Sequence, residues 1–212
     1  MSDLEPLQNP RFARQYLRMA KVADQRGAAE HRRRLVDGLA GRVLEVGAGQ
    51  GRSFRHYPDA VTELVAVEPD ATLREAAERA AADAAVPVTV LAGQAARLPG
   101  RDGEFDAVVV SLVLCTVGDP PAALAEIARV LRPGGELRFY EHVRARNRLG
   151  GWLEDAINPL WRRAAGGCNV NRDTGKAIAA AGFRTERLDR FGFSFSPLAP
   201  KTAHIIGTAT RP

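Results

Sequence analysis

The chain has 212 residues, of which 45% are hydrophobic and 26% are charged. These values are typical of a soluble globular protein, and they predict one domain over residues 1–212. The formal net charge of +5 is carried almost entirely by arginine. The arginine clusters at 32–34 and 144–148 are interpreted as solvated faces, so nucleic acid is not expected as a partner.

Targeting signals and cysteine patterns exclude further classes of protein. Residues 1–10 are polar and lack the apolar segment of a signal peptide. The longest apolar run, at 107–115, is interrupted by Ser111 and is too short to span a bilayer as a helix. Cys115 and Cys168 give neither a disulfide framework nor metal-ligand spacing. A cytoplasmic location is therefore expected, and no metal site is predicted.

Helical and strand patterns alternate along the chain. In chain order they predict a helical segment at 11–39 with a break at Gly27, a strand at 41–46, a short helix at 52–57, a strand at 64–67, a helix at 71–86, strands at 88–91 and 105–115, a helix at 121–131, a strand at 136–142, helices at 152–163 and 173–181, and two closing strands at 185–191 and 203–210. This alternation indicates βαβ units around a parallel sheet.

A glycine turn follows the first predicted strand, in the sequence EVGAGQG at 45–51. Glycine permits positive φ and lets the backbone approach a ligand closely. Glu68 follows the second strand, where a carboxylate can accept hydrogen bonds from a ribose diol. A dinucleotide-binding loop would need a further glycine at the position of Arg52. The pattern predicts a nucleoside site and favours S-adenosylmethionine over NAD.

Two histidines are candidate proton acceptors, because an imidazole titrates near neutral pH. His142 ends the fifth predicted strand, at the edge where open α/β sheets place their active sites. His204 lies in the closing hairpin. The alternatives are a loop histidine bonded to a carbonyl for His142 and a partly buried strand residue for His204. Asn169 is interpreted either as orienting a substrate or as capping the next helix, and Cys168 as a small packed residue.

Five segments, in this order, resemble the class I S-adenosylmethionine-dependent methyltransferases. They are LEVGAGQG at 44–51, VEP at 67–69, GQAARLP at 93–99, FDAV at 105–108 and LRPGG at 131–135. The resemblance implies an α/β fold: a Rossmann-like, doubly wound, mostly parallel seven-stranded sheet with an antiparallel C-terminal hairpin and helices on both faces. It also implies a helical lid at 1–40, a cofactor-binding core at 41–142, and substrate-side helices with the closing hairpin at 143–212.

The resemblance assigns S-adenosylmethionine as the cofactor and gives eleven positions a role in binding it. They are Glu45, Gly47, Ala48, Gly49, Gly51, Glu68, Pro69, Gln94, Ala95, Ser111 and Leu112. In this interpretation the glycines pass under the methionine moiety and ribose, Gln94 contacts the adenine amino group, and Ser111 and Leu112 meet the methionine end. Glu45 either contacts the cofactor's amino group through water or satisfies loop amides. The alternative for Glu68 is that of an acidic residue that suits the start of the next helix.

A narrower resemblance, to the methyltransferase-like proteins that methylate alkyl thiols, rests on further segments. They are Phe54, YP at 57–58, VEP at 67–69, LVLCTV at 112–117, EHV at 141–143, GCN at 167–169 and HIIG at 204–207. Animal members carry an N-terminal hydrophobic anchor; no such segment is seen here, so anchoring is not carried over. The general motifs of this family resemble those of quinone C-methyltransferases and phospholipid N-methyltransferases.

The expected reaction is methyl transfer from S-adenosylmethionine to a small hydrophobic acceptor by in-line displacement. A thiol is the favoured acceptor. The alternatives are C- or O-methylation of a quinone or aromatic metabolite and N-methylation of a phospholipid. An NAD(P)-binding oxidoreductase is the rival from another class of enzyme. No transmembrane segment is predicted, and peripheral contact with a membrane stays open.

Overall fold

A seven-stranded sheet forms the centre of the protein in a computed structural model that describes residues 3–195 and 200–212. The strands are β1 (Gly41–Val46), β2 (Val61–Val67), β3 (Val88–Leu91), β4 (Phe105–Ser111), β5 (Leu131–His142), β6 (Arg184–Phe193) and β7 (Thr202–Thr210). Their order across the sheet is β3-β2-β1-β4-β5-β7-β6. The first five strands pair in parallel, whereas β7 is antiparallel to both β5 and β6. The predicted fold class is confirmed.

Six helices of at least seven residues surround the sheet in the described part of the chain. They are α1 (Pro10–Ala23), α2 (Ala29–Val36), α3 (Ala71–Ala81), α4 (Pro120–Val130), α5 (Arg148–Ala164) and α6 (Thr174–Ala180). The predicted break lies between α1 and α2, where Gly27 has φ of 116°. The short helix predicted at 52–57 is a single 3-10 turn at Phe54–His56.

The core lies on both faces of the sheet, because successive residues of a strand point to opposite sides. On one face Leu44 and Val46 of β1 belong to the same cluster as Leu124 and Ile127 of α4. On the other face Val43 is clustered with residues of α2 and α3, such as Leu35 and Ala77. All of these side chains are buried. Because both faces of the sheet are covered, β1, β2 and β4 have nearly continuous apolar runs.

Several element boundaries differ from the sequence predictions. The helix predicted at 71–86 ends at Ala81, because the chain must turn back to β3 and Pro87 disfavours helical geometry in the residue before it. The fifth strand begins at Leu131 rather than 136. The helix predicted from 152 begins at Arg148, where the Asn147 side chain accepts a hydrogen bond from the Gly150 amide as an N-cap.

None of the helices in the described ranges is both long enough and apolar enough to cross a membrane.

Candidate functional site

The glycine turn after β1 packs tightly against two neighbouring segments. The amides of Gly47 and Ala48 donate to the carbonyl oxygen of Val67, at 2.8 and 3.1 Å. Gly47 has φ of 69°, and a Cβ at this position would lie 2.5 Å from Cγ2 of Val113. Glycine is therefore required here both for its backbone angle and for the close approach. Gly49 and Gly51 also have positive φ.

Glu68 lies beside this turn and is held by backbone amides. Its Oε2 accepts from the Gly49 amide at 2.8 Å and its Oε1 accepts from the Asp70 amide at 2.9 Å. The side chain is almost fully buried, and burial raises the pKa of its carboxyl to about 7. Because a carboxylate has about four acceptor positions, two remain for other donors, such as the hydroxyls of a ribose. The residues present therefore fit a nucleoside.

Glu45, at the end of β1, is also buried and hydrogen-bonded. Its Oε2 accepts from the Tyr57 hydroxyl at 3.0 Å. Burial raises the pKa of the Glu45 carboxyl to about 7, against the lowering effect of hydrogen bonds from Tyr57 and Ser53. These contacts favour the alternative in which Glu45 stabilises the turn.

The turn after β3 lies next to the end of β2. A Cβ at Gly93 would lie 2.8 Å from Cγ1 of Val67. The backbone carbonyl oxygen of Gln94 accepts a hydrogen bond from the backbone amide of Arg97 at 3.1 Å. Ala95 is buried. The structure thus brings the residues predicted for adenine close to Glu68. We call the glycine turn, the loop at 68–70 and the turn at 93–95 the cofactor end of the site.

The N-terminal segment contacts the cofactor end. The Asn9 amide donates to Asp70 Oδ2 at 2.8 Å, and the Gln8 side chain donates to the Pro69 carbonyl at 2.7 Å. From there α1 carries the Tyr16 ring to 3.6 Å from where a Cβ of Gly49 would lie. The Phe12 ring stacks on that of Tyr16, with centroids 5.7 Å apart. This placement is what a lid at 1–40 requires.

Arg32 corrects the interpretation of its cluster as a solvated face. Its side chain is buried and forms an ion pair with Asp24, which also pairs with Arg52 at 2.9 Å. Arg33 and Arg34 have side chains that are much more exposed. A run of three arginines gives no indication that one of them points inward, so this residue was missed.

The fourth strand, predicted to reach 115, ends at Ser111. Leu112 has φ of 61°, and the amides that follow turn towards the carboxylate of Glu141. Glu141 Oε1 accepts from the amides of Val113 and Leu114 at 3.0 and 2.9 Å, and Oε2 accepts from the Cys115 amide at 2.9 Å. The prediction was wrong because the apolar sequence does not reveal that a distant carboxylate binds these amides.

Glu141 itself is fully buried. Burial raises the pKa of its carboxyl to about 7, while the three amide hydrogen bonds act in the opposite direction. No role for this residue is expected from the sequence. The only available signal was an acidic residue in the last, apolar part of a predicted strand. Ser111 and Leu112 remain at the sheet edge and are half-buried there.

His142 lies beside two cysteines that are distant in sequence. Its Nδ1 is 3.1 Å from Cys168 Sγ and 3.9 Å from Cys115 Sγ, and the two sulfurs are 3.5 Å apart. All three side chains are buried. Burial raises the pKa of Cys115, whereas hydrogen bonding from Cys115 and His142 lowers the pKa of Cys168 to about 5. We call these three residues the Cys–His cluster.

His204 packs on His142, with ring centroids 4.1 Å apart. It is fully buried, and its Nδ1 donates to the Thr202 carbonyl at 3.0 Å. Burial, and then the nearby His142, lower the pKa of His204 to about 2. This burial and the lowered pKa favour the alternative in which His204 is a buried strand residue.

Asn169 connects two turns. Its Nδ2 donates to the carbonyl oxygens of Cys115 and Gly167, at 3.0 and 3.1 Å, and its Oδ1 accepts from Asn158 at 3.2 Å. The prediction that Asn169 caps the next helix is wrong, since Asp173 is the N-cap of α6. Its hydrogen bonds instead hold the Cys168 turn against the Cys115 turn.

Comparison with known proteins agrees with this geometry. Residues 44–139 match the family model of a methyltransferase domain. Thiol S-methyltransferase TMT1B of Homo sapiens is 32% identical over 187 residues, which cover 83% of this chain and 74% of the human protein. A demethylmenaquinone methyltransferase of Renibacterium salmoninarum is 39% identical over 110 residues, covering 50% of this chain and 45% of that protein.

Solved structures show the same fold. A protein of Thermotoga maritima, described as an S-adenosylmethionine-dependent methyltransferase and possible histamine N-methyltransferase, has a TM-score of 0.69 at 25% identity. The match covers 95% of this chain and 97% of that one. S-adenosylmethionine is thus the cofactor. The chain belongs to the class I S-adenosylmethionine-dependent methyltransferases, in the family that includes the human thiol S-methyltransferases.

Proposed function

We propose that this methyltransferase methylates the sulfur of a small hydrophobic thiol. The observation that carries the proposal is the extent of the similarity to the human thiol S-methyltransferase, which covers 83% of this chain. A match of that length extends beyond the cofactor-binding core at 41–142 into the segment at 143–212, which contains α5 and the Cys168 turn. The demethylmenaquinone methyltransferase matches only half of the chain.

The protein contributes to the reaction mainly by positioning the two reactants. Bound S-adenosylmethionine supplies an electrophilic methyl group, and an acceptor atom must be held in line with it. Glu68 and the glycine turn would hold the nucleoside, and the Tyr16 ring, which lies near Gly49, would cover it from α1. No covalent enzyme intermediate is needed for a displacement of this kind.

The surroundings of His142 support a hydrophobic acceptor. The ring of Trp161 lies edge-on to His142 with centroids 6.3 Å apart, and the Phe195 ring is 5.7 Å away. A thiol suits this environment because it is less strongly hydrated than an alcohol or amine. It also has a pKa of about 8.5, so a few per cent of it is already thiolate at neutral pH.

The test is a methyl-transfer assay with labelled S-adenosylmethionine and linear alkyl thiols of increasing length. We expect kcat/KM to rise roughly fourfold per added methylene until the apolar site is filled, from about 0.8 kcal/mol per buried CH₂. Alcohols of the same length are the matched control and should not be methylated. Transfer to quinols or phospholipids with none to any thiol would overturn the proposal.

A ring carbon of a quinol is the second candidate acceptor. It is favoured by the 39% identity to the demethylmenaquinone methyltransferase, which exceeds the identity to the thiol enzymes. That similarity covers half of the chain, so it bears on the acceptor less directly. Adding a demethylated quinol to the same assay separates the two, because the methylated products differ in hydrophobicity and in the atom that carries the label.

A further inference from the structure

The Cys–His cluster has the composition of a metal site. Cys115 lies in the turn after β4, His142 ends β5 and Cys168 lies in the turn after α5. Their three ligand atoms all lie within 4.8 Å of one another. We propose that these residues bind a soft divalent cation, and that zinc is the best match.

The distances fit a tetrahedral zinc ion. Zn–S bonds of about 2.3 Å and Zn–N bonds of about 2.0 Å at tetrahedral angles place two sulfurs about 3.8 Å apart, and a sulfur and a nitrogen about 3.5 Å apart. The observed distances are 3.5 Å between the sulfurs, and 3.1 and 3.9 Å from Nδ1 to Cys168 and Cys115. Each ligand atom would move by only a few tenths of an ångström to bind the ion.

The ligands are held in place by their neighbours. The Glu141 carboxylate accepts from the Cys115 amide, and Asn169 donates to the Cys115 carbonyl both from its side chain and from its backbone amide, at 3.0 and 2.8 Å. His142 is held in β5 by its pairing with β7. Such outer hydrogen bonds orient metal ligands and reduce the cost of assembling the site.

Charge and ligand type select the ion. Two thiolates beside a neutral imidazole would leave two negative charges in a buried place, and a divalent cation neutralises both. Thiolate and imidazole favour zinc over magnesium or calcium, which prefer oxygen ligands. His142 then acts as a ligand through Nδ1 rather than as the proton acceptor predicted from sequence.

This site is not visible in the pattern of residues along the chain. The two cysteines are 53 positions apart and lack the short spacing of known zinc motifs. Only the fold brings them together.

Three protein ligands also leave one tetrahedral position for solvent or a small molecule, as in catalytic rather than structural zinc sites. The proposal concerns binding alone and does not depend on which acceptor the enzyme methylates.

Cobalt serves as the probe. The full chain is reduced, treated with a chelator and titrated with Co²⁺, and the thiolate-to-cobalt charge-transfer band is recorded. We expect saturation at one cobalt per chain, displacement of cobalt by zinc, and loss of the band in Cys115→Ser and Cys168→Ser. His56→Asn, at a partly exposed turn far along the chain from the cluster, is the control and should retain the band.

A second measurement covers the case in which a serine variant does not fold. The chain has two cysteines, so alkylation of the wild-type protein reports on the cluster alone. We expect stoichiometric zinc to slow the alkylation of both thiols. The proposal is overturned if the reduced, folded protein takes up no stoichiometric cobalt or zinc. It is also overturned if both serine variants bind cobalt as tightly as the wild type.

A separate observation concerns the outer face of α5. Five large apolar side chains on this helix are exposed, including Leu149 at 69% and Leu160 at 71%. The five are Leu149, Trp152, Leu153, Ile157 and Leu160. Spacings of three, four and eight residues place them on one side of the helix. A contiguous apolar surface of this kind marks an interaction site.

Arginines lie at both ends of this apolar face. Arg146 and Arg148 precede or begin the helix, and Arg162 and Arg163 are in its last turn; all four are exposed. The acidic residues of α5 face other partners, since Asp155 pairs with Arg144 and Glu154 accepts from the Ala145 amide. We infer that this face binds a bilayer surface that contains anionic lipid, with the helix lying in the interface.

Co-sedimentation with vesicles tests this inference. We expect binding to vesicles of phosphatidylcholine and phosphatidylglycerol, weaker binding to phosphatidylcholine alone, and weakening by salt. The double variant Leu149→Ser/Leu160→Ser should lose the binding. Leu188→Ser, at an exposed apolar residue of β6, is the control and should keep it. Failure to bind either vesicle, or self-association of the free protein that the double variant abolishes, would overturn the inference.

Discussion

The cofactor end and the Cys–His cluster occupy the same edge of the sheet but are built in different ways. The cofactor end consists of short loops that directly follow β1, β2 and β3, and its contacts are mainly made by the backbone. The Cys–His cluster is made by side chains from three distant segments. Glycine turns and strand-end acids are visible in a sequence, whereas a cluster assembled by tertiary contacts is not.

The largest expected effect is at Glu141, which supports the Cys–His cluster. Glu141→Ala leaves three buried amides without an acceptor, at about 1–3 kcal/mol each. We expect the free energy of unfolding to fall by about 3–5 kcal/mol in chemical denaturation. Glu136→Ala, on the exposed part of the same strand, is the matched control and should change it by less than about 0.5 kcal/mol. Equal effects of the two variants would show that Glu141 does not support the turn.

The next largest effect is expected at Glu68, where a substitution should alter the cofactor end and leave the Cys–His cluster unchanged. Glu68→Ala removes the acceptor for the Gly49 amide and for a ribose, so we expect the affinity for S-adenosylhomocysteine to fall by about 1–3 kcal/mol in calorimetry. Glu75→Ala, on the exposed face of α3, should leave the dissociation constant unchanged. If Glu68→Ala altered cobalt binding and left cofactor affinity intact, the division into two regions would be broken.

The pH dependence of the cofactor end has opposite signs for stability and for binding. Because the pKa of Glu68 is raised from 4.5 to about 7, the folded protein holds a proton between these values that the unfolded chain releases. The free energy of unfolding should therefore fall as pH rises from 4.5 to 7. Cofactor affinity should rise over the upper part of that range, since the carboxylate is the better acceptor.

Calorimetry of S-adenosylhomocysteine binding at pH 6 and pH 8 checks this sign. Glu68→Gln is the matched variant, because the glutamine side chain does not titrate. We expect its affinity for S-adenosylhomocysteine to change less between pH 6 and pH 8 than that of the wild type. Glu45 has a similarly raised pKa and contributes to the stability trend alone, since its contacts are internal. An affinity that falls between pH 6 and pH 8 in the wild type would contradict the assignment of Glu68.

The smallest effect is expected at Tyr57. Tyr57→Phe removes the hydroxyl that donates to Glu45 and keeps the packing of the ring, so the free energy of unfolding should fall by about 1 kcal/mol. Cofactor affinity should change little, because Glu45 bonds to Tyr57 and Ser53, whereas Glu68 is the residue that binds the Gly49 amide. A loss of affinity comparable to that of Glu68→Ala would restore the prediction that Glu45 contacts the cofactor.

Much of the fold could be predicted because its signals are local. The alternation of apolar runs, glycine stops and helical segments predicts seven strands and an α/β fold, and the structure has both. The glycines and acidic residues at the strand ends predict the position of the cofactor end. The end of β4 could not be predicted, since the residues after Ser111 are as apolar as those before it. What ends the strand is Glu141, a residue 30 positions further along the chain that binds the amides of the turn.

The Cys–His cluster and Arg32 were missed for a related reason. Spacing along the chain predicts a metal site only when the ligands share one local motif, and here each ligand comes from a different element. Arg32 is buried next to two more accessible arginines, and it pairs with Asp24 across a helix break. In both cases the property depends on tertiary contacts, which a single sequence does not display.

The turn from Leu112 to Cys115 touches both regions. Its first residues pack against the glycine turn through Val113 and Gly47, and its last residue contributes a sulfur to the Cys–His cluster. Glu141 fixes the amides between them. The separation between the cofactor end and the cluster is therefore set by the length of one tight turn. An inserted residue there would change that separation.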